Sequence, residues 1–508
     1  STPMSDLRFR VHDGEGLDAD RFEGGMLVGR DGFPVAGKVR VGQRFEGGFL
    51  IEASVEEPAV CALSLPVDLG EIGRLRVQTT LLPPRREPYP LLYELARHRV
   101  KLFLAKAEEW GMWDPDAAPE AISRFEKSRD LLGRASTETE TESMGKLARR
   151  SLMVGIDASE RLAASHARIH LARKYASKGA PSTAVGLALD PELPTRLLED
   201  RFFEPYGLIS IPISWRDLEP APGRFEWAKL DRWMVAAAKA KRRIVCGPLV
   251  DASIRSMPDW ALSRRADDAA FREAVYAYCE QVVGRYRGAV SMWIIASGLA
   301  GATETVADGD RAIAMTRLAS VLVRQLQPTA RILVEIVDPF AEHLERHPEG
   351  MGPLRYLRRV AEDGIHVDCI GLRIAPEESI RPCRDLAEIA SLADRYVSPE
   401  RHVVVTGLSA PAANASPRDG GWRGAWTPAR QAAWLAEAVP VLLARPRFDA
   451  VLWGVVKDGG GSTRGLFDEA GKSKPAAAAL DAIAKAIRSP RPTLAGGLAA
   501  IAPARTAE

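Results

Sequence analysis

Asp251, Asp338 and Asp458 each follow an apolar run of the chain, at a point where a loop begins. Glu304, Glu377 and Glu378 stand at comparable points. Carboxylates that face each other across a cleft do general acid, general base or nucleophilic work. Loop-rich surfaces always carry some acids, so the same residues also fit a solvated rim. Four tryptophans, Trp215, Trp422, Trp426 and Trp453, fall in the same neighbourhoods. An indole is a flat apolar platform on which a ring can stack. Trp215 and Trp453 fit equally well as core. Trp422 and Trp426 lie in a Gly-rich stretch and are expected to be exposed. Arg373 and Lys457, the latter beside Asp458, bring positive charge to this region. They would meet an acidic ligand or pair with local acids, and pairing is the favoured reading.

Other chemistry is weakly signalled. His166 and His170 have the spacing of a helical metal site, but no Glu lies between them, so two surface histidines and no metal are expected. Gly459-Gly460-Gly461-Ser462 reads as a flexible loop. Gly465 followed by Gly471-Lys472-Ser473 misses the spacing of a phosphate loop, so no nucleotide or other cofactor is implied. The cysteines Cys61, Cys246, Cys279, Cys369 and Cys383 form no C-x-x-C pair and read as reduced thiols, mostly buried in strands and helices.

The elements that must position these side chains repeat along the chain. From 183 to 487 strand, loop and helix alternate. The strands are expected at Ala184–Leu189, Leu208–Ile213, Arg243–Leu249, Val290–Ala296, Arg331–Val337, Val367–Ile374, His402–Leu408 and Ala450–Val456. Each is a nearly continuous apolar run, as in strands buried on both faces. Helix-period sequence follows each, so the fold class is α/β, a (β/α)8 TIM barrel, with its working face at the C-terminal strand ends. Residues 1–85 read as a β-rich domain, sandwich-like, with glycine turns at Gly24-Gly25 and Gly47-Gly48. Residues 86–182 carry helical periodicity and form a helical connector. Residues 488–508, rich in Ala, Pro and Gly, read as a disordered tail.

Several ordered motifs within the barrel resemble glycoside hydrolase family 10, the xylanase family. Trp215 through Glu219-Pro220-Ala221-Pro222-Gly223-Arg224-Phe225 is similar to the family's W-x-x-x-E-P-x-x-G-x-F segment. Met257-Pro258-Asp259-Trp260 resembles its L-P-S-W, and Tyr286-Arg287-Gly288 followed by Trp293 its Y-x-G … W. Trp453-Gly454-Val455, Leu466-Phe467-Asp468 and Lys474-Pro475-Ala476 resemble the closing W-G-V … L-F-D … K-P-A. The resemblance spans nearly the whole barrel and none of the first 180 or so residues.

The resemblance implies a retaining glycosidase, which needs two carboxyl groups ~5–5.5 Å apart. The family places them at the ends of the fourth and seventh strands. Here those positions read Ser297-Gly298 and Thr406-Gly407, so glycine stands where each acid is expected. The family's third-strand His maps to Gly247, and its sixth-strand Gln and His to Arg373 and Ala375. The expectation is a family 10-like pseudoenzyme that binds a polysaccharide or oligosaccharide, or a protein partner. The alternatives are an active hydrolase of β-1,4-linked polysaccharide with relocated acids, drawn from Asp251, Asp338 and Asp458, and a structural subunit that forms a homo-oligomer. On either ligand-binding reading, Trp215, Trp422, Trp426, Trp453, Arg373 and Lys457 are the candidate glycan contacts.

The chain has 508 residues, 46% of them hydrophobic and 27% charged, an ordinary globular balance. A formal net charge of +2 gives no reason to expect nucleic acid as a partner. No apolar run approaches the ~20 residues of a membrane span. The polar segment Ser1 to Asp6 lacks a signal core, which favours the cytoplasm; secretion with cleavage ahead of Ser1 is the alternative.

Overall fold

The computed structural model describes residues 5–55, 60–251, 253–300, 309–348, 350–377, 382–416 and 419–490. The chain opens with eight strands: β1 (Ser5–His12), β2 (Met26–Val28), β3 (Pro34–Val35), β4 (Gly37–Phe45), β5 (Gly48–Val55), β6 (Ala62–Asp68), β7 (Arg74–Gln78) and β8 (Tyr89–Pro90). They form two four-stranded sheets, ordered β4-β5-β1-β8 and β3-β2-β6-β7. Alternation decides which side chains turn inward. Leu7, Phe9, Val11 and Ile51 of one sheet share a core with Leu63, Leu65, Val67 and Leu75 of the other.

Three helices follow: α1 (Leu91–Glu109), α2 (Pro119–Thr137) and α3 (Thr141–Lys174). Pro119 opens α2 at the position where its missing N–H has no consequence. The Thr-Glu repeat at 137–142 falls at the junction of α2 and α3. Helix α3 packs on α1 and α2, and also reaches two helices of the barrel.

The barrel strands are β9 (Val185–Ala188), β10 (Leu208–Pro212), β11 (Arg243–Gly247), β13 (Val290–Ser297), β14 (Arg331–Ile336), β15 (Cys369–Ile374), β16 (His402–Leu408) and β17 (Phe448–Trp453). All pair in parallel, and β17 returns to β9, closing the (β/α)8 ring. The short β12 (Val250–Asp251) adds to the end of β13. The helices are α4 (Trp215–Leu218), α5 (Ala228–Lys239), α6 (Asp259–Leu262), α7 (Asp268–Tyr286), α8 (Gly309–Leu326), α9 (Pro353–Glu362), α10 (Leu386–Arg395), α11 (Pro428–Leu443) and α12 (Pro475–Arg488). Leu208, Val245, Ile294, Leu333, Val404 and Leu452 fill the barrel interior, so the lumen is a packed core. All eight expected strands are present, each within a few residues of its expected bounds. The tail from 491 lies outside the described residues.

The strands and helices ahead of the barrel are locked to it by buried ion pairs. The Arg99 guanidinium donates two bonds to Asp385, at 3.1 and 2.7 Å, and Asp385 also caps α10 through Ala387 N–H and Glu388 N–H. Arg76 on β7 and Arg384 both face the buried Glu342, at 3.3 and 2.7 Å. Lys174, near the end of α3, donates to the Leu443 and Phe448 carbonyls, closing the last turn of α11. Burial pushes the Lys174 amine down to about 8. His166 is buried, stacked on Trp110 and His170 and bonded to Arg445, which corrects the expectation of a surface residue. Burial first, and Arg445 second, push its imidazole down to about 2, so it stays neutral.

Candidate functional site

At the C-terminal end of the barrel, four strands bring one polar cluster together. Glu335 on β14 points inward two residues after Leu333, on the same face of its strand. Its Oε2 accepts a hydrogen bond from Ser297 Oγ at 2.6 Å and from Arg373 Nη2 at 2.9 Å, and its Oε1 accepts one from Thr406 Oγ1 at 2.6 Å. Ser297 ends β13, Arg373 lies on β15 and Thr406 on β16. The carboxylate is almost wholly buried, whereas 43% of the Arg373 side chain is exposed. A buried charge is tolerated when it is paired and fully bonded, and this one has a cation and two hydroxyls.

The backbone around the cluster is irregular. The ladder slips between Ile294 and Ala296, between Leu372 and Arg373, and between Val405 and Leu408. Such bulges re-aim side chains at barrel rims. Gly298 has φ +68°, a conformation in which an L side chain is strained, and its N–H meets the Glu335 carbonyl at 3.4 Å. Arg373 pairs with Gly407 across the sheet, and a Cβ at 407 would stand 3.3 Å from Arg373 Cγ. A Cβ at Gly247 would lie 2.4 Å from the Ile294 carbonyl oxygen, so no side chain fits there without movement of the backbone.

The aspartates singled out in the sequence are each bonded within their own loops. Asp251 accepts from Ser253 N–H at 2.9 Å and Ser256 Oγ at 2.6 Å, holding the turn after β12. Asp338 is buried and meets both the N–H and Nδ1 of His343, at 3.0 and 2.9 Å. Asp458 accepts from Gly465 N–H at 2.6 Å and pairs with Lys474 at 3.0 Å. Glu377 is held above the usual carboxylate range by burial, which the N–H groups of Gly420 and Cys383 only partly offset. Glu304 and Glu378 lie outside the described residues.

The four candidate tryptophans, Trp215, Trp422, Trp426 and Trp453, are all buried. Trp215 stacks on Tyr278 at 4.7 Å and donates to Glu219. Trp453 donates to the Arg464 carbonyl at 3.1 Å. The expected exposure of Trp422 and Trp426 is overturned, since they are 1% and 3% exposed. Their Gly-rich stretch is a joint: Gly421 N–H reaches the Arg74 carbonyl at 3.3 Å, and Arg423 N–H the Ile72 carbonyl at 2.8 Å. Trp422 Nε1 donates to Glu160 of α3 at 2.6 Å. Glu160 also accepts from Leu386 N–H and from the Arg423 guanidinium, which bridges to Glu437. Large apolar rings gain most from burial at such a contact, and the glycines let the backbones approach. Gly73 lies so close that a Cβ there would overlap the Gly421 carbonyl.

Lys457 is exposed, and its neighbour Asp458 pairs with Lys474 instead. Arg464, not foreseen, donates to Ser409 Oγ at 3.3 Å and to the Pro376 carbonyl at 2.7 Å, linking the ends of β15, β16 and β17. Glu335 was also missed. Its signal was a lone carboxylate within the apolar run Arg331-Ile-Leu-Val-Glu-Ile336, which a buried strand admits only with partners.

Residues 212–311, from the end of β10 to the start of α8, match the family model described as glycosyl hydrolase family 10. The barrel is glycoside hydrolase family 10-like. The matched segment includes Gly298 and stops before Gly407. A curated relative, endo-1,4-beta-xylanase B of Humicola insolens, is 26% identical over 165 residues, covering 31% of this chain and 42% of that protein. The chain thus matches less than half the length of this relative. Among solved structures, xylanase B from Clostridium stercorarium F9 aligns with a TM-score of 0.46 at 17% identity, over 61% of this chain and 98% of that one. Xylanase 10B from Thermotoga petrophila RKU-1 in complex with xylobiose aligns with a TM-score of 0.49 at 16% identity, over 63% and 97%. No helix among the described residues is long and apolar enough to cross a membrane.

Proposed function

We propose that this family 10-like barrel binds a carbohydrate chain without hydrolysing it. The observation that carries the reading is the cluster between the fourth and seventh strands. Where the family resemblance calls for two carboxylic acids, the chain has Gly298 and Gly407, and the stem of Arg373 lies against Gly407. A retaining mechanism needs one group to protonate the leaving oxygen and another to attack the sugar carbon. Glycine does neither. Glu335 does not replace them, because it is buried beneath Arg373 and both its oxygens are engaged. Asp251, Asp338 and Asp458 are each bonded to their own loops, which weighs against an inverting pair as well. The similarity to an endo-1,4-beta-xylanase supports a β-1,4-linked polysaccharide as the ligand class.

The test is a paired assay of the purified chain on xylans, other β-glucans and aryl glycosides, scoring reducing-end release and binding together. Binding without release is the expected result. Release that disappears in Asp251→Asn, Asp338→Asn or Asp458→Asn would place the chemistry on relocated acids and overturn the proposal.

A further inference from the structure

At the C-terminal end of the barrel, where the family resemblance calls for two carboxylic acids, stands a guanidinium paired with the buried Glu335. Glycine occupies both of the family's acid positions. Arg373 stands on β15 with 43% of its side chain exposed, directly beside Gly407. Arg464 spans from Ser409 to the Pro376 carbonyl on the same rim, and Lys457 projects into solvent at the end of β17. Among the described carboxylates of this rim, Glu335 is buried under Arg373 and Asp458 is tied to Lys474, while Asp251, Asp338 and Glu377 are bonded to groups of their own loops. An exposed cation over a low-dielectric floor attracts anionic ligands, and a guanidinium fork matches a planar carboxylate in particular.

We propose that the C-terminal mouth of the barrel selects an acidic β-1,4-linked glycan, one whose sugars carry uronic acid carboxylates, with Arg373 as the residue that reads the charge and Lys457 as its support at the rim. The inference rests on the reading of the barrel as a carbohydrate-binding site. A neutral chain offers the guanidinium only hydroxyls, and a hydrogen bond to a charged partner is the stronger by roughly tenfold in affinity. The preference therefore weakens with salt, as a partly exposed charge contact must.

Two probes of equal length and linkage isolate the effect: cellohexaose and the hexamer of β-1,4-linked glucuronic acid, titrated calorimetrically into the full chain at low and high salt. The acidic hexamer is expected to bind about tenfold or more tightly than cellohexaose at low salt. Three variants then separate charge reading from damage to the fold. Arg373→Met should bring the ratio near one, and Lys457→Gln, at an exposed position, should reduce it by a smaller factor. Glu335→Gln keeps the guanidinium and removes its internal counter-charge, so the ratio should rise. A damaged fold would not move the ratio in opposite directions. Equal or tighter binding of cellohexaose by the unmodified chain would overturn this inference and leave carbohydrate binding standing. A preference unchanged in Arg373→Met would overturn the assignment to that residue. Failure to bind either hexamer would remove both readings.

Discussion

Arg373 and Gly407 are partners across two neighbouring barrel strands, and the Arg373 Cγ stands 3.3 Å from where a Cβ at 407 would begin. The absence of a side chain at 407 and the presence of a long one at 373 are therefore one packing solution. Glu335 completes it by fixing the far end of the guanidinium at 2.9 Å. An acidic side chain at 407 would require Arg373 to yield.

Glu335 is predicted to hold the barrel mouth together. Glu335→Ala removes the acceptor of Ser297, Thr406 and Arg373 at once and should cost about 3–5 kcal/mol, the range for breaking a buried charged contact. Glu335→Gln keeps part of the hydrogen bonding and should cost about 1–3 kcal/mol. Urea denaturation followed by near-UV circular dichroism reads both. A loss below about 0.5 kcal/mol for the alanine variant would show that the cluster does not stabilise the fold.

Glu160 is predicted to be the keystone of the joint between the helical region and the barrel. It is the shared acceptor of Trp422 Nε1, Leu386 N–H and Arg423. Glu160→Ala should destabilise by about 3–5 kcal/mol, and the loss should shrink when Arg423 is replaced as well, because the stranded charge then disappears. A double-mutant cycle measures that coupling. Trp422→Ala should cost a similar ~3–5 kcal/mol by leaving a cavity, with no selective effect on glycan affinity in the molecules that remain folded.

How far such features can be read ahead of the structure depends on their range. The eight barrel strands are legible because each is an apolar run buried on both sides, with β-branched residues as in Val403, Val404 and Val405. Ser297-Gly298 and Thr406-Gly407 are legible for the same reason, since their place follows from counting strands. The partners of Trp422 are not, because Glu160 lies 262 positions away and no local pattern announces the contact. A Gly-rich stretch with tryptophans looks like an exposed binding loop until the second surface is present. His166 misleads in the same way, because its cover comes from Arg445, 279 positions on.

Glu15 is predicted to make stability fall with rising pH. Burial lifts its carboxyl to about 7, against the opposing pull of the His12 N–H and Arg149, and the carboxylate lies against Gly145 of α3. Because its pKa is higher folded than unfolded, the folded state binds the extra proton. Its contribution is fully present below the ordinary carboxylate value and is lost as pH rises towards 7, by roughly 2–3 kcal/mol. His166, held down to about 2, works in the opposite sense and loses its contribution as pH falls below the ordinary histidine value. The test is therefore a difference: the stability of Glu15→Gln relative to the unmodified chain should rise between pH 5 and about 7.5. A difference that stays flat with pH would show that Glu15 titrates normally.

Isotope incorporation reads whether this barrel cleaves a glycosidic bond. Xylohexaose and the glucuronic acid hexamer would be incubated with stoichiometric protein in H2(18)O, and the products weighed by mass spectrometry. Hydrolysis places one labelled oxygen in every new reducing end, so even slow turnover leaves a mark. Absence of hydrolysis predicts no labelled shorter oligosaccharide above the protein-free control. Labelled products that increase with protein concentration and vanish in Glu335→Gln would contradict it, and would make the buried carboxylate a catalytic one.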